Sequence, residues 1–450
     1  MPVDADIQKS VSRLPFDFSP YFDAVSQAKP LAMEGRIVKV VGLVIEGDGP
    51  AASVGELCHI YPQGQDRPIE AEVVGFREGR ILLMPIGTMQ GLTPGNRIVS
   101  QRARASVRVG PNLLGRVLDG LGQPIDQLGP LSADTTYPLM AAPGNPLARQ
   151  RITQPLDTGV RAINSLLTIG QGQRVGIFAG SGVGKSTLLG MIARNMRADV
   201  NVIALIGERG REVREFIEKD LGPEGMKRSV VVAATSEQPA LVRMRGAYVA
   251  TAVAEYFRDQ GADVILMMDS ATRYAYASRE VGLSIGEPAT TRGYTPSVFS
   301  QLPLLLERAG AWTESGSITG LYTVLVEGDD MNEPVADAMR AILDGHIVLK
   351  RDLAARNHYP AIDVLSSVSR LMIDVVDRKH LAQAGKVKDL MATYARSEDM
   401  INIGAYVKGS NPNIDKAIEA APKIEAFLKQ PFDQSVPMDE ARKHLTQLGV

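Results

Sequence analysis

The chain has 450 residues, 44% of them hydrophobic and 22% charged, with a net charge of −2. That length supports two or three separate cores, and the composition excludes a disordered or fibrous protein. The near-neutral charge gives no long-range pull toward nucleic acid, which is not expected as a partner.

The start, Met1-Pro-Val-Asp-Ala-Asp, is acidic where a secretory signal is basic and then apolar, and no apolar run approaches the roughly 20 residues of a spanning helix. Neither secretion nor membrane insertion is expected. Residues 1–30 carry Pro15, Pro20 and Pro30; Ser19 reads as an N-cap and Pro20 as the first helical position, with Tyr21, Phe22 and Val25 along one side. This amphipathic piece has no core of its own, and it reads equally as a docking segment for a partner or as a helix packed on the next domain.

From Gly35 to Ser100 short β-branched runs alternate with Gly, Pro and Asp: Arg36–Ile45, Ile69–Phe76, Arg80–Met84 and Asn96–Ser100. Close spacing with turn signals between them predicts a compact β-barrel. Cys58, the single cysteine, allows no internal disulfide, fits a reducing cytoplasm and reads as a small buried hydrophobe.

From about Val107 to Arg370 the texture alternates. Gln173–Ala179, Asn201–Ile206, Ser229–Ala234 and Asp263–Asp269 read as buried parallel strands, with helices predicted over Lys185–Met196, Glu212–Leu221 and Pro239–Gln260. An α/β fold follows, a parallel sheet covered by helices on both faces. Beyond Leu371 strand runs cease, and His380–Tyr394, Ile414–Gln430 and Asp439–Leu448 predict a helical domain. The expected divisions are 1–30, 31–103, 104–370 and 371–450.

The chemistry concentrates at Ala179-Gly-Ser-Gly-Val-Gly-Lys-Ser-Thr187, between a predicted strand and a predicted helix. Gly180, Gly182 and Gly184 let the backbone turn its N–H groups inward around phosphate oxygens, a cradle that Ser181, Val183 and Thr187 complete at the mouth of a helix. Lys185 reaches the β- and γ-phosphates and the Ser186 hydroxyl ligates Mg²⁺. Ala179 stands where the strict pattern has Gly, so this is the relaxed form of the loop. Asp269, ending an apolar strand where doubly wound sheets bind ligands, is the expected anchor of the Mg²⁺ through water. In Gly207-Glu-Arg-Gly-Arg-Glu, Glu208 is the candidate base for an attacking water, Arg209 a candidate γ-phosphate ligand, and Glu212 a candidate acting through metal-bound water.

Five segments carry a resemblance: Gly207-Glu-Arg-Gly-Arg-Glu-Val, Ser297-Val-Phe-Ser-Gln-Leu-Pro-Leu-Leu-Leu-Glu-Arg-Ala-Gly, Gly316-Ser-Ile-Thr, Leu343-Asp-Gly-His-Ile-Val-Leu and Pro360-Ala-Ile-Asp-Val-Leu-Ser-Ser-Val-Ser-Arg. Together they resemble the type III secretion ATPases, relatives of the catalytic chain of the rotary ATP synthase. Gly42-Leu-Val-Ile-Glu, Glu72-Val-Val-Gly-Phe, Leu82-Leu-Met-Pro and Gly404-Ala-Tyr-Val-Lys-Gly-Ser-Asn-Pro are most similar to the flagellar branch. The resemblance implies a central RecA-like P-loop domain between an N-terminal β-barrel and a C-terminal helical domain, hydrolysing ATP with Mg²⁺ in a homohexameric ring. It implies Arg370 as an arginine finger acting in the neighbouring subunit's site, Tyr359 as the aromatic under the adenine, and Phe432 across from it. The partners it implies are a dimeric stator protein holding the N-terminal segment, a coiled-coil stalk, export chaperone–substrate complexes and the membrane-embedded export gate, which would place the chain at the cytoplasmic face of the inner membrane at the flagellar base.

Four rivals remain: a virulence injectisome ATPase, a rotary synthase catalytic chain, a non-catalytic nucleotide-binding subunit, and a ring RNA translocase. Ser397-Glu-Asp-Met-Ile-Asn-Ile-Gly stands where the synthase has an acidic Asp-Glu-Leu-Ser-type stretch, Glu208 is present where a non-catalytic subunit would lack it, and residues 35–100 are not basic.

Overall fold

The computed structural model describes residues 18, 20–22, 25, 32–65, 67–133, 135–313 and 315–449. Ser19, Pro15, Pro30 and most of the expected docking segment lie outside the described residues. Pro20–Phe22 are helical, and Tyr21, Phe22 and Val25 are exposed.

Six strands form a closed barrel in the order β1-β2-β5-β4-β3-β6: β1 (Glu34–Val41), β2 (Val44–Asp48), β3 (Glu56–Tyr61), β4 (Ile69–Arg77), β5 (Arg80–Pro85) and β6 (Arg97–Arg104). Ile37, Ile45, Cys58, Ile60, Ala71, Val73, Ile81, Leu83 and Ile98 fill it, and Cys58 is the buried hydrophobe expected. The single run expected over Arg36–Ile45 is two strands. Gly42, at φ +57°, supplies the left-handed residue that folds it into a hairpin.

The second unit, residues 104–450, has β7 (Ser106–Val109) paired with β9 (Thr135–Pro138) and β10 (Pro155–Leu156) paired with β11 (Ile169–Gly170). Its main sheet contains β8 (Val117–Asp119), β12 (Arg174–Ala179), β13 (Val200–Ile206), β14 (Ser229–Ala234), β15 (Asp263–Asp269), β17 (Ser317–Leu325), β18 (Gly345–Leu349) and β19 (Ile362–Ser369). Their order is β19-β18-β12-β17-β15-β13-β14-β8, with β16 (Gly310–Ala311) pairing beside β17. The long ladders are parallel, as expected of strands buried on both faces; β19 is an antiparallel edge and β16 also runs antiparallel. The helix Ala240–Asp259 packs on β13, β14 and β15, and Pro334–Ile342 on β12 and β17.

The helix expected over Glu212–Leu221 is three pieces: an α-helix over Gly210–Glu215, a π-helical turn over Phe216–Leu221 and a further helix over Gly222–Lys227. Gly222, at φ +66° and ψ 175°, ends the π-helical turn, and Pro223 stands in the first turn of the next helix, where its missing N–H costs nothing. The C-terminal helices run Arg378–Asn402, Pro412–Leu428 and Met438–Gln447. Their apolar faces (Ala384, Val387, Ile424, Phe427, Leu445) join the same cluster as the sheet residues Val175, Ile177 and Ile203. Among the described residues no helix is long and apolar enough to cross a membrane.

Candidate active site

β12 is apolar and buried from Val175 to Ala179, so the chain leaves it at a fixed point and enters the Gly180–Gly184 loop. Gly182 and Gly184 hold φ of +78° and +90°, and a Cβ on Gly184 would come within 3.3 Å of the Tyr359 ring. A side chain is disfavoured at Gly182 by conformation, and at Gly184 by conformation and by the Tyr359 ring. The helix Lys185–Asn195 follows with no side chain capping its N-terminus. Its first-turn N–H groups and positive dipole end therefore face the loop mouth, which fits an anion. Ser181, Ser186 and Thr187 are exposed at this mouth, while Val183 is buried beneath it.

Lys185 meets two carboxylates: it pairs with Asp269, and its Nζ lies 3.7 Å from Glu208 Oε1. Asp269 ends β15, is 5% exposed, and accepts the Thr323 hydroxyl at 2.7 Å from the adjoining β17. Glu208 follows β13; its Oε1 is buried without a hydrogen-bond partner. Burial first, and then the Asp269 carboxylate, push the Glu208 carboxyl up to about 7 against the pull of Lys185. Glu212, one turn on, shares a hydrogen bond with Glu208, and that bond holds its own carboxyl below the usual range. Arg209 is exposed and pairs with Glu212 at 3.2 Å.

The residues fit a magnesium-bound triphosphate. An uncapped helix end, a fixed ammonium and a buried acceptor without a donor are what a phosphate and its attacking water would complete. Among the described residues no group of three His, Cys, Asp or Glu forms a metal cage; Mg²⁺ held with phosphates keeps several waters and takes only one or two protein oxygens, of which Ser186 can supply one, with Asp269 placed to hold a metal-bound water.

Tyr359 is 42% exposed and Phe432 64%. Gln430, two residues before Phe432, donates its backbone N–H to Tyr359 O at 2.9 Å, and Arg194 of the P-loop helix donates to Phe432 O at 2.9 Å, so the Tyr359 ring borders the loop and the Phe432 segment is tied to both Tyr359 and the far end of the P-loop helix. Arg370 is elsewhere. Ser369 lies opposite Gly345, whereas Leu349 lies beside Ala179, so Arg370 sits level with the far end of β18, roughly 13 Å along the strands from the P-loop. It is exposed there, donating to Arg340 O at 3.2 Å.

Two residues escaped the sequence reading. Thr323 anchors Asp269, as described. Arg273 lies along Gly207, where a Cβ would come 2.9 Å from its side chain, and its Nε is buried without a partner. The only signal was its place in the helix that follows Asp269.

Comparison with known proteins agrees with this geometry. Residues 159–369 match the nucleotide-binding domain of the ATP synthase alpha/beta family, 37–101 its beta-barrel domain, and 376–447 the type III secretion EscN ATPase C-terminal domain. The chain is 54% identical over 433 residues to the "Flagellum-specific ATP synthase" of Bacillus subtilis, covering 95% of this chain and 97% of that one. The chain belongs to the type III secretion ATPase family. This ATPase is also 50% identical to the "Type 3 secretion system ATPase" of Xanthomonas euvesicatoria, over 92% of this chain and 93% of that one. The solved structure of the assembled ATPase EscN with its central stalk EscO, from enteropathogenic E. coli, superimposes with a TM-score of 0.84 at 46% identity, covering 92% of this chain and all of that one. As a type III secretion ATPase the chain is a P-loop ATP hydrolase of the export apparatus, in a family with flagellar and injectisome members.

Proposed function

We propose that the chain works as a homohexameric ring in the flagellar export apparatus, where ATP hydrolysis drives the delivery, unfolding or chaperone release of export substrates. The observation that carries the catalytic reading is Glu208, a buried carboxyl whose Oε1 is ion-paired with Lys185 but accepts no hydrogen bond, at the mouth of an uncapped helix. In this reading the Ala179–Thr187 loop cradles the triphosphate and Lys185 neutralises its β- and γ-oxygens. Ser186 would hold Mg²⁺, with Asp269 and Glu212 acting through its water, and the ion when bound would offset the phosphate charge. Glu208 accepts a proton from the attacking water as the bond from the γ-phosphorus to the bridging oxygen breaks, releasing ADP and phosphate; a carboxyl tuned to about 7 suits that task. Arg209 exchanges Glu212 for the γ-phosphate, and Tyr359 and Phe432 take the two faces of the adenine.

Arg370 acts in trans. The register supports this, since it sets Arg370 far along the strands from its own P-loop. A guanidinium delivered by a neighbour can stabilise the charge on the transferring phosphoryl group, an effect worth roughly 10³–10⁵ in rate in other P-loop enzymes. The E. coli relative is assembled around a central stalk, and a coiled-coil stalk is proposed here too, with a stator dimer at residues 1–30, chaperone–substrate complexes and the export gate at the cytoplasmic membrane face. Hydrolysis measured against protein concentration, with ring formation followed by light scattering, tests the ring. The rate per chain should rise as rings form, and a rate independent of assembly would remove it. The flagellar assignment rests on the four segments most similar to that branch, and the neighbouring genes test it against the injectisome.

A further inference from the structure

The segment between the helices Pro412–Leu428 and Met438–Gln447 carries Phe432, and it also carries one almost wholly enclosed polar side chain. Gln430 is 3% exposed. Its Oε1 accepts the N–H of Arg161 at 2.7 Å, and its Nε2 donates to Gly159 O at 2.9 Å and to Gln434 O at 2.8 Å. With the backbone bond to Tyr359 O, one residue joins three stretches remote in sequence: the Gly159–Arg161 loop, the Tyr359 loop and the Phe432 segment. One accepted and two donated bonds leave the amide a single orientation. Its anchor is itself fixed, because Gly159 holds φ +69° and a Cβ there would come 2.3 Å from Asn195 Cβ at the end of the P-loop helix.

We propose that Gln430 is the positioning residue of the base pocket: it sets the spacing of Tyr359 and Phe432, and with it the share of affinity owed to the base as opposed to the triphosphate. The proposal rests on the reading that those two aromatics take the faces of the base. Phe432 is 64% exposed and Tyr359 42%, so for Phe432 above all the backbone anchors, more than side-chain packing, set the separation of the two rings. Contact attraction falls steeply with distance, and a gap of 0.5–1 Å forfeits about a quarter to a half of it. The triphosphate is held by the Gly180–Thr187 loop and Lys185, to which Gln430 makes no hydrogen bond. A lesion at Gln430 therefore separates the two halves of the ligand.

Gln430→Met keeps the length of the side chain and loses all three of its bonds. Gln430→Glu keeps the acceptor for Arg161 and turns both donors into a carboxylate facing two carbonyls. Dissociation constants for ATP and for inorganic tripolyphosphate, each with Mg²⁺, are measured by calorimetry on the full chain, alongside KM and kcat, after thermal melting shows the variants folded. Base–aromatic stacking is large enough that ATP binding should weaken roughly tenfold, with the loss in KM more than in kcat, while tripolyphosphate changes less than about twofold. Tyr359→Ala should give the same selective loss. If it does, and both Gln430 variants bind ATP as the unmodified chain does, Gln430 positions nothing. Equal weakening of ATP and tripolyphosphate in the Gln430 variants would make the residue a general support of the fold and overturn the proposal. If Tyr359→Ala leaves ATP binding unchanged, it is the base-pocket reading that fails.

Discussion

The ammonium of Lys185 lies 3.7 Å from the buried Oε1 of Glu208 while it pairs with Asp269 on its other side. One cation thus serves two carboxylates in a site that excludes most water, and an arriving phosphate must share it. Lys185→Ala leaves both carboxylates without a counter-charge, which drives the Glu208 carboxyl further up and strips the phosphates of their fixed cation. Turnover should fall at least roughly 10²-fold, judged from the loss of single charge-stabilising donors elsewhere, and the nucleotide-free protein should melt lower. Steady-state hydrolysis and calorimetric melting measure both, and near-normal turnover from a folded variant would sink the P-loop assignment.

Glu208→Gln keeps the shape and removes the proposed base. Hydrolysis should drop by roughly 10²–10⁴, the usual worth of a positioned general base, with ATP still bound. Single-turnover kinetics and an equilibrium titration separate the two quantities. A variant that cannot bind nucleotide would give Glu208 a different role.

The parts legible in the sequence were those whose signal is local. Ser229–Ala234 and Asp263–Asp269 read as strands because every side chain, or nearly every one, is apolar or small and buried. The P-loop read clearly because phosphate binding demands small residues at close intervals. β3 was missed because only Cys58 and Ile60 of its six residues are buried, too few for a pattern. β17 was missed because Ser317, Thr319, Gly320 and Thr323 dilute its apolar run. Thr323 meets Asp269 only through strand pairing, and Gln430 meets Arg161 across 269 positions of chain. Such contacts are written in the topology, which no local pattern carries.

Thr323 gives the next prediction. Thr323→Val preserves size and deletes the hydroxyl that donates to Asp269. Hydrogen bonds to charged groups contribute about 1.5–3 kcal/mol, so chemical denaturation should show a loss of that order. Because Asp269 is the proposed anchor of the metal's water, the Mg²⁺ concentration for half-maximal activity should rise several-fold. An unchanged Mg²⁺ dependence would confine Thr323 to structural support.

Cys58 reports on the barrel. It is fully buried, and burial, with Glu56 adding to it, pushes the thiol up to about 12. The reactive thiolate is therefore scarce in the folded state across neutral and mildly alkaline pH. A chromogenic disulfide reagent at pH 8 should label the native chain only as fast as the barrel opens, and should label it completely in denaturant. Rapid stoichiometric labelling without denaturant would contradict the barrel packing around Cys58.

The proposed arginine finger joins chemistry to assembly. Arg370 is exposed at the end of the edge strand β19, roughly 13 Å along the sheet from its own P-loop. A subunit with Arg370→Ala keeps its own loop, Glu208 and Asp269 intact, and a Lys185→Ala subunit keeps an intact finger. Neither alone should turn over usefully. In co-assembled rings some interfaces set a good loop against a good finger, so activity should return in proportion to those pairings, less whatever a blocked neighbour stalls. ATP binding by Arg370→Ala should stay near normal, because a finger serves the transition state more than the ground state. Mixing the two proteins across a range of ratios, with co-assembly followed by light scattering, gives the curve. An Arg370→Ala protein that hydrolyses ATP at the unmodified rate at every concentration would return Arg370 to the solvent-facing charge that its exposure alone describes.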